Sequence, residues 1–375
     1  MTVNEKKTKT MIFSNKKVNQ QPFTLNSKPL DSVYEYTYLG VKLSSTGNFS
    51  SHLNQMREKA LHAFYSLSRK IDFKKLKPNL ANRLFDCFIS PILTYGSEIW
   101  SLYLSQNFEK WDQNNIEKTH LRFCRYYLGV NNKASNIACR AELGRFPFKI
   151  CIDRLVLKYV NHLINLPDDS LAKQSLLTSE FLYKRNKSGY ITNFYKLLSF
   201  YVPSHSISHE RPLSNSVINE LVVAMKSKYT STWKIHLQNS PKLSFYQTFK
   251  NNYEEEKYLS IIRNYDQRRQ FTKLRISNHA LSIETGRYSK PKTPPDKRLC
   301  LLCDKNAVET ELHMICDCPA YDKIRSDFYL KIKSDILSNR NNIPALMNFK
   351  DEDQLFYFSI FIFKSFQLRK EKLAK

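Results

Sequence analysis

The sequence predicts a mainly α protein with a small β-rich opening, and three observations carry that reading. Apolar residues recur three or four positions apart through much of residues 53–166, the period of one helix face. Short β-like stretches, TMIFS and YEYTYLGVKL, fall within residues 1–45 and are separated by polar turns such as SNKKVNQQ and SSTGN. Finally, 375 residues with 42% hydrophobic and 13% aromatic content exceed one ordinary domain and supply apolar surface for more than one packed unit.

Taken in order, residues 1–45 form the β-rich opening and residues 46–166 a helical bundle. Leu53, Met56, Ala60, Phe64, Leu67 and Ile71 give the first helix its apolar face, with Arg57, Lys59, Arg69 and Lys70 on the other side. A second pattern follows Pro78, with Leu80, Leu84, Cys87 and Phe88 in one stripe, until Pro91 forces a new start. A third runs from about Gln113 through Phe123 and Tyr127 to Gly129, a residue suited to the left-handed position after a helix. The fourth occupies residues 150–166, where Ile152, Leu155, Tyr159, Leu163 and Leu166 are in phase. Residues 167–251 turn polar, broken by Pro203, Pro212 and Pro241, and read as a loosely packed helical connector. Residues 252–345 carry helical patterns on both sides of a cysteine cluster, and residues 346–375 hold a last helix. Its run from Leu355 to Phe363, LFYFSIFIF, is well short of the ~20 residues that cross a bilayer and reads as a buried or docking helix.

Lys and Arg number 59 against 34 Asp and Glu, a formal excess of +25. Such an excess asks for an anionic partner. The basic residues spread along the chain rather than cluster beside an apolar anchor. Nucleic acid, as RNA or an RNA/DNA or DNA duplex, is therefore expected rather than a membrane. The competing reading is a basic surface that is merely solvated. Candidate phosphate contacts are Arg57, Lys59, Arg69 and Lys70, with Lys74, Lys75 and Lys77 just beyond and Tyr65 and Phe73 among them. A second cluster holds Arg268, Arg269, Lys273 and Arg275.

The opening, MTVNEKKTKTMIF, lacks the apolar stretch of a secretory signal, so a nuclear or cytoplasmic location is expected. Neither a phosphate loop nor a Ser/His/Asp pattern is visible, and no small-molecule substrate is expected. Asp168-Asp169 and Asp351-Glu352-Asp353 fit helix starts better than the paired carboxylates of two-metal chemistry.

The sharpest motif is Cys300, Cys303, His313 and Cys318, spaced CLLC-x9-H-x4-C. Zinc takes four thiolate or imidazole ligands in a tetrahedron, and a two-residue gap lets one turn present two sulfurs to one ion. Cys316 is the rival for the fourth position. Three cysteines and one histidine would leave no open coordination position, so the expected Zn2+ is structural. Cys318 precedes Pro319 and a helical pattern, where the helix dipole favours a thiolate. Cys87, Cys124, Cys139 and Cys151 fall on helical patterns and are expected in the core.

These residues together resemble the reverse transcriptases of non-LTR retrotransposons, particularly jockey-like elements. Val3-Asn4, Lys7-Thr8-Lys9 and Met11-Ile12-Phe13 look like the strand and turn that follow the polymerase metal site, and Tyr38-Leu39-Gly40-Val41 like the primer-grip hairpin. The segment from Pro91 to Trp100, PILTYGSEIW, is similar to a motif of the helical thumb, and Leu128-Gly129-Val130 and Arg140-Ala141-Glu142-Leu143-Gly144 extend the match. Leu274-Arg275, Gly286-Arg287-Tyr288, the four metal-ligand candidates and Ile324-Arg325 look like the terminal cysteine-histidine segment.

The resemblance implies the end of the palm over 1–45, a thumb over 46–166 that grips a template-primer duplex, and a zinc knuckle within 252–345. It also implies that Lys7 stands where a lysine approaches the incoming nucleotide. The aromatic-Ala-Asp-Asp motif of the family does not occur in the chain, so these 375 residues are expected not to polymerise, and Mg2+ would enter only with the upstream catalytic part. Two alternatives stay open: a piece of an active RNA-directed DNA polymerase, and a host zinc-binding module that docks another protein.

Overall fold

The computed structural model describes residue 4 and residues 7–14, 22–202, 213–334, 336–338, 340–348 and 351–374. Val3, Pro203, Pro212 and most of the SNKKVNQQ turn lie outside the described residues. Among those described, eighteen α-helices accompany six strands of two to four residues, so the protein is mainly α. The longer helices are α1 (Ser50–Lys70), α2 (Pro78–Phe88), α3 (Asn115–Leu128), α4 (Asn136–Glu142), α5 (Phe148–Ile164), α6 (Leu171–Lys184), α7 (Tyr190–Tyr201), α8 (Asn215–Gln238), α9 (Tyr265–Arg275), α10 (Asp322–Ile332) and α11 (Glu352–Leu373). No helix among the described residues is long and apolar enough to cross a membrane.

The chain divides into two compact units, one comprising Met1–Leu67, Phe85–Thr119 and Phe148–Val222. Its strands pair two by two: β1 (Lys9–Thr10) with β4 (Asp31–Ser32), β2 (Thr24–Leu25) with β3 (Lys28–Pro29), and β5 (Glu35–Tyr38) with β6 (Val41–Ser44). Tyr38 faces Val41, so Leu39-Gly40 is a two-residue hairpin loop, and both residues have positive φ, 46° and 83°. A type I′ turn requires this backbone, which glycine adopts freely and leucine does not. Leu39 is held there from outside: its carbonyl accepts the Tyr95 hydroxyl at 2.7 Å.

Tyr95 lies in the PILTYGSEIW segment, whose local geometry explains its residues. Trp100 is fully buried and donates its indole N–H to the Tyr95 carbonyl at 3.0 Å. The Tyr190 hydroxyl donates to the Glu98 carbonyl at 2.9 Å. On the other side of the hairpin, buried His52 accepts the Lys42 backbone N–H on Nδ1 at 3.2 Å.

The apolar stripes follow the predicted helices with two corrections. On α1 the buried residues include Leu53, Met56, Ala60 and Phe64, as the period requires. On α2, Leu80 and Phe88 are 46% and 57% exposed and Cys87 is exposed, because the buried stripe is instead Ala81 and Phe85, continued by Ile89. Phe85 sets its ring edge-on to Phe148 at 6.4 Å. Cys151 also faces outward, on the side of α5 opposite Ile152, Val156 and Val160.

Residues 167–251 are not a loosely packed connector. Their polar composition hides apolar residues in helical phase: Leu176 and Ile191 join Leu163 in one cluster, and Phe194, Leu197, Met225, Tyr229 and Trp233 are buried along α7 and α8.

The second unit comprises Ser68–Leu84, His120–Pro147 and Val223–Lys375. At its centre Glu142, fully buried at the end of α4, accepts Arg275 at 3.0 and 3.2 Å and the hydroxyls of Tyr246 and Tyr258 at 2.8 and 2.5 Å. Arg275 also pairs with Glu256 at 2.7 Å and donates to the Met347 carbonyl at 2.6 Å. Burial alone would lower the Arg275 pKa, but Glu142 and Glu256 outweigh it and hold the guanidinium charged. The Arg140-Ala141-Glu142 and Leu274-Arg275 motifs, more than a hundred residues apart, are thus the two sides of one buried ion pair. Helix α11 packs on α9 and α10 through Phe358, which meets Phe271 at 5.9 Å and Phe328 at 5.7 Å.

Candidate metal centre and basic face

The Cys300 end of the metal cluster is built by a tight hairpin. Leu299 pairs with Val308, the Cys300 N–H donates to the Ala307 carbonyl at 2.8 Å, and Asn306 takes the left-handed turn with φ 49°. Asparagine tolerates that backbone. The hairpin turns Cys300 and Cys303 toward one point.

The other two ligands come from a five-residue π-helical turn, His313–Asp317, which ends on Cys318. In a regular α-helix, residues five apart point about 140° away from each other. The wider π turn, closed by the Cys318 N–H on the His313 carbonyl at 2.8 Å, brings the imidazole and the thiol to the same side.

The four ligand atoms of Cys300, Cys303, His313 and Cys318 lie within 4.8 Å of one another. Cys300 Sγ is 3.8 Å from Cys318 Sγ, and Cys303 Sγ is 3.4 Å from His313 Nε2. Four ligands at about 2.3 Å for sulfur and 2.0 Å for nitrogen around a tetrahedral zinc would stand roughly 3.5–3.8 Å apart, so the donor set fits that ion. Cys316 lies outside the cluster, and burial pushes its thiol up to about 11.

Burial pushes Cys318 up to about 12, and the nearby Cys300 sulfur adds to it against the lowering effect of the Ala320 N–H. The helix start therefore works against burial and the neighbouring sulfur at Cys318, and a bound cation would favour its ionised thiolate. Burial also lowers the His313 pKa, which favours the neutral imidazole that binds metal. These residues could hold a metal such as zinc.

The basic residues separate into those that face solvent and those that hold the fold. Lys59, Arg69 and Lys70 are exposed on α1 and Arg57 is half-buried. Lys75 and Lys77 are exposed just beyond α1. Lys74 lies 4.9 Å from the Tyr126 ring centre and 5.3 Å from that of Tyr265, and Arg269 lies 5.7 Å from the latter. Lys273 is half-buried, and burial followed by the charge of Arg269 lowers its pKa.

Arg268 and Arg275 are corrections to the predicted set of phosphate ligands. Arg275 is fully buried in the Glu142 pair. Arg268 is 4% exposed and donates to the backbone carbonyl of Lys74, which ties α9 to the 73–77 segment. Lys74 and the Arg268-Arg269 pair, remote in sequence, are therefore neighbours within this unit. Gly129 permits that approach: a Cβ on it would stand 2.5 Å from the Tyr265 hydroxyl and 2.7 Å from Arg269 Cγ. Lys7 is exposed, and the hairpin residues Tyr38 and Leu39 are 62% and 76% exposed.

The chain is similar to a transposon-derived protein. Over 104 residues it is 33% identical to an uncharacterized transposon-derived protein of Caenorhabditis elegans, a stretch of 27% of this chain and 34% of that protein. The chain thus spans about a third of the relative's length. No family model matches, and no solved structure matches. The similarity supports a transposon origin.

Sequence reasoning missed the supports around the metal cluster. Glu309, buried between the two ligand pairs, accepts Arg369 of α11 at 2.7 Å on each oxygen and the N–H and hydroxyl of Ser282 at 2.6 Å. Arg325 donates to the carbonyls of Ile315 at 2.9 Å and Cys318 at 3.2 Å. The signal available was weak: a Glu inside a ligand loop and arginines that look like any other charge on helices already rich in Lys and Asp.

Proposed function

We propose that this chain is the nucleic-acid-gripping C-terminal portion of a non-LTR retrotransposon reverse transcriptase, in which a structural zinc orders the terminal segment. The observation that carries the reading is the meeting of Lys74 and Arg269 at the Tyr265 ring, with Tyr126 on the other side of Lys74 and exposed Lys75 and Lys77 next along the chain. Lysines at the surface follow a phosphate backbone, and tyrosines beside them stack on bases or sugars. The transposon-derived relative and the net charge of +25 support the same reading.

In this role the residues bind and orient a duplex. Exposed Lys75 and Lys77 neutralise phosphates, and Lys74, packed between two tyrosine rings, is fixed in direction. Buried Arg268 and Arg275 hold α9 in place beneath them. The zinc, held by Cys300, Cys303, His313 and Cys318, supplies a closed structural crosslink and no reaction step. The Leu39-Gly40 hairpin, with exposed Tyr38 and Leu39, is the second element that the reading assigns to the primer strand.

The test is the combined replacement of Lys74, Lys75, Lys77 and Lys273 with Gln. Affinity for a primed RNA/DNA duplex should fall, and its salt dependence should flatten by about one unit of slope for each phosphate that is no longer neutralised. The pair Lys75→Gln and Lys77→Gln, at exposed positions whose charges contribute little to folding, should lower affinity in the same direction with stability unchanged, which separates lost contacts from lost fold. Unchanged affinity in the combined variant would refute the assignment.

A further inference from the structure

The run from Leu355 to Phe363 takes no part in the metal centre or the basic face. It sets apolar side chains around the whole circumference of α11, a pattern that calls for cover on every side. Leu355, Phe358, Phe361 and Ile362 have that cover within the unit. The remaining side does not: Phe356 is 41% exposed, and Tyr357, Ile360 and Phe363 are half-buried. There α10 and α11 enclose an open groove of 380 Å³, walled by Ile324, Phe328, Tyr357 and Ile360, with Leu330 on its rim at 78% exposure.

Charge along α11 is polar in the same direction as the chain. Asp351 caps the helix and Glu352 and Asp353 fill its first turn, whereas Lys364, Lys370 and Lys372 outweigh Glu371 in the second half. Two such helices laid antiparallel about Ile360 would bring Glu352 and Asp353 of each copy within about one turn of Lys364 and Lys370 of the other. Phe356 of each would then stand opposite Lys364 of the other, with Ile360 and Phe363 of that copy within about one turn. A parallel pair would place like charges together.

We propose that this side of α11, with the groove beside it, is a contact through which two copies of the chain associate about a two-fold axis near Ile360. The surface is self-complementary, as a two-fold interface requires. It is also small for a permanent dimer, so association should be weak and concentration-dependent.

Sedimentation of the full chain, freed of nucleic acid by nuclease and high salt, reads this directly. The parent should pass from monomer to dimer as concentration rises. Ile360→Asp should weaken association at least tenfold. Asp353→Lys and Lys364→Asp should each weaken it, and the chain carrying both should regain the parent's association, because the exchanged charges again face their opposites. All three charge variants change exposed side chains and should keep the parent's circular dichroism, which separates impaired association from impaired folding. A chain that stays monomeric throughout would overturn the proposal. So would a dimer that Ile360→Asp leaves unmoved, or a monomer that instead takes an acidic amphipathic peptide in the groove.

Discussion

The hairpin at Leu39-Gly40 and the metal cluster at Cys300–Cys318 are both short loops held in unfavourable backbone, but by different means. The hairpin turn rests on a neutral hydrogen bond from Tyr95 and a backbone contact to His52. The cysteine hairpin and π turn converge four ligand atoms and are anchored by two buried arginines, Arg325 and Arg369. A neutral hydrogen bond contributes about 1 kcal/mol, whereas a structural zinc contributes on the order of 10. The first loop could yield to a ligand; the second, with an ion bound, could not move without losing it. The proposed roles, a gripping tip and a structural crosslink, call for those opposite properties.

The largest effect should follow the metal. Chelation, Cys303→Ser or His313→Ala should each remove stoichiometric zinc from the purified chain and destroy protection of the amides over 299–321 in hydrogen exchange. Cys316→Ser should do neither. A chain that holds no zinc, or one equally protected in excess chelator, would erase the contrast between the two loops.

Next in size is the buried ion pair. Glu142→Ala would leave buried Arg275 with Glu256 as its one carboxylate and the hydroxyls of Tyr246 and Tyr258 without their Glu142 acceptor, which costs up to roughly 3–5 kcal/mol, read as a lower midpoint in urea unfolding. A loss below about 1 kcal/mol would mean that the pair does not hold the second unit together.

Acid should act on the same cluster. Burial would raise the Glu256 pKa, but the charges of Arg275 and Lys250 outweigh it and leave it below its ordinary 4.5. A depressed carboxyl contributes stability that is complete above its unfolded value and is lost as pH falls toward the folded one. Unfolding should therefore steepen below pH 4.5 in the parent and less so in Glu256→Gln. Identical acid profiles would deny the ion pair its role.

The smallest effect belongs to the hairpin. Tyr95→Phe removes the hydroxyl on the Leu39 carbonyl and should cost about 0.5–1.5 kcal/mol of stability. It should also broaden the amide signals of residues 38–41 without disturbing those around Cys300. Loss of order at both sites together would contradict independent anchoring.

What the sequence made legible follows from how local each signal is. Helix faces and the ligand set are written within a few residues: Leu53, Met56, Ala60 and Phe64 repeat on one stripe, and the four candidate ligands fall within nineteen positions. The α2 stripe was misplaced because Leu80 and Ala81 begin two equally regular patterns, and only tertiary packing chose the one with Phe85. Arg268 and Arg275 looked like surface charges because their partners, Lys74, Glu142 and Glu256, lie elsewhere in the chain. The packing of residues 167–251 is hidden in a polar composition, because composition averages over the helical phase of Leu176, Ile191 and Phe194.

Whether the face around Lys74 and Tyr265 grips nucleic acid is tested most directly by the salt dependence of binding. Affinity of the 375-residue chain for a primed RNA/DNA duplex, measured from low to physiological salt, should fall along a log–log line. With several phosphates neutralised, its slope should be about −3 or steeper. A slope near zero, or no binding at low salt, would contradict the assignment of that face.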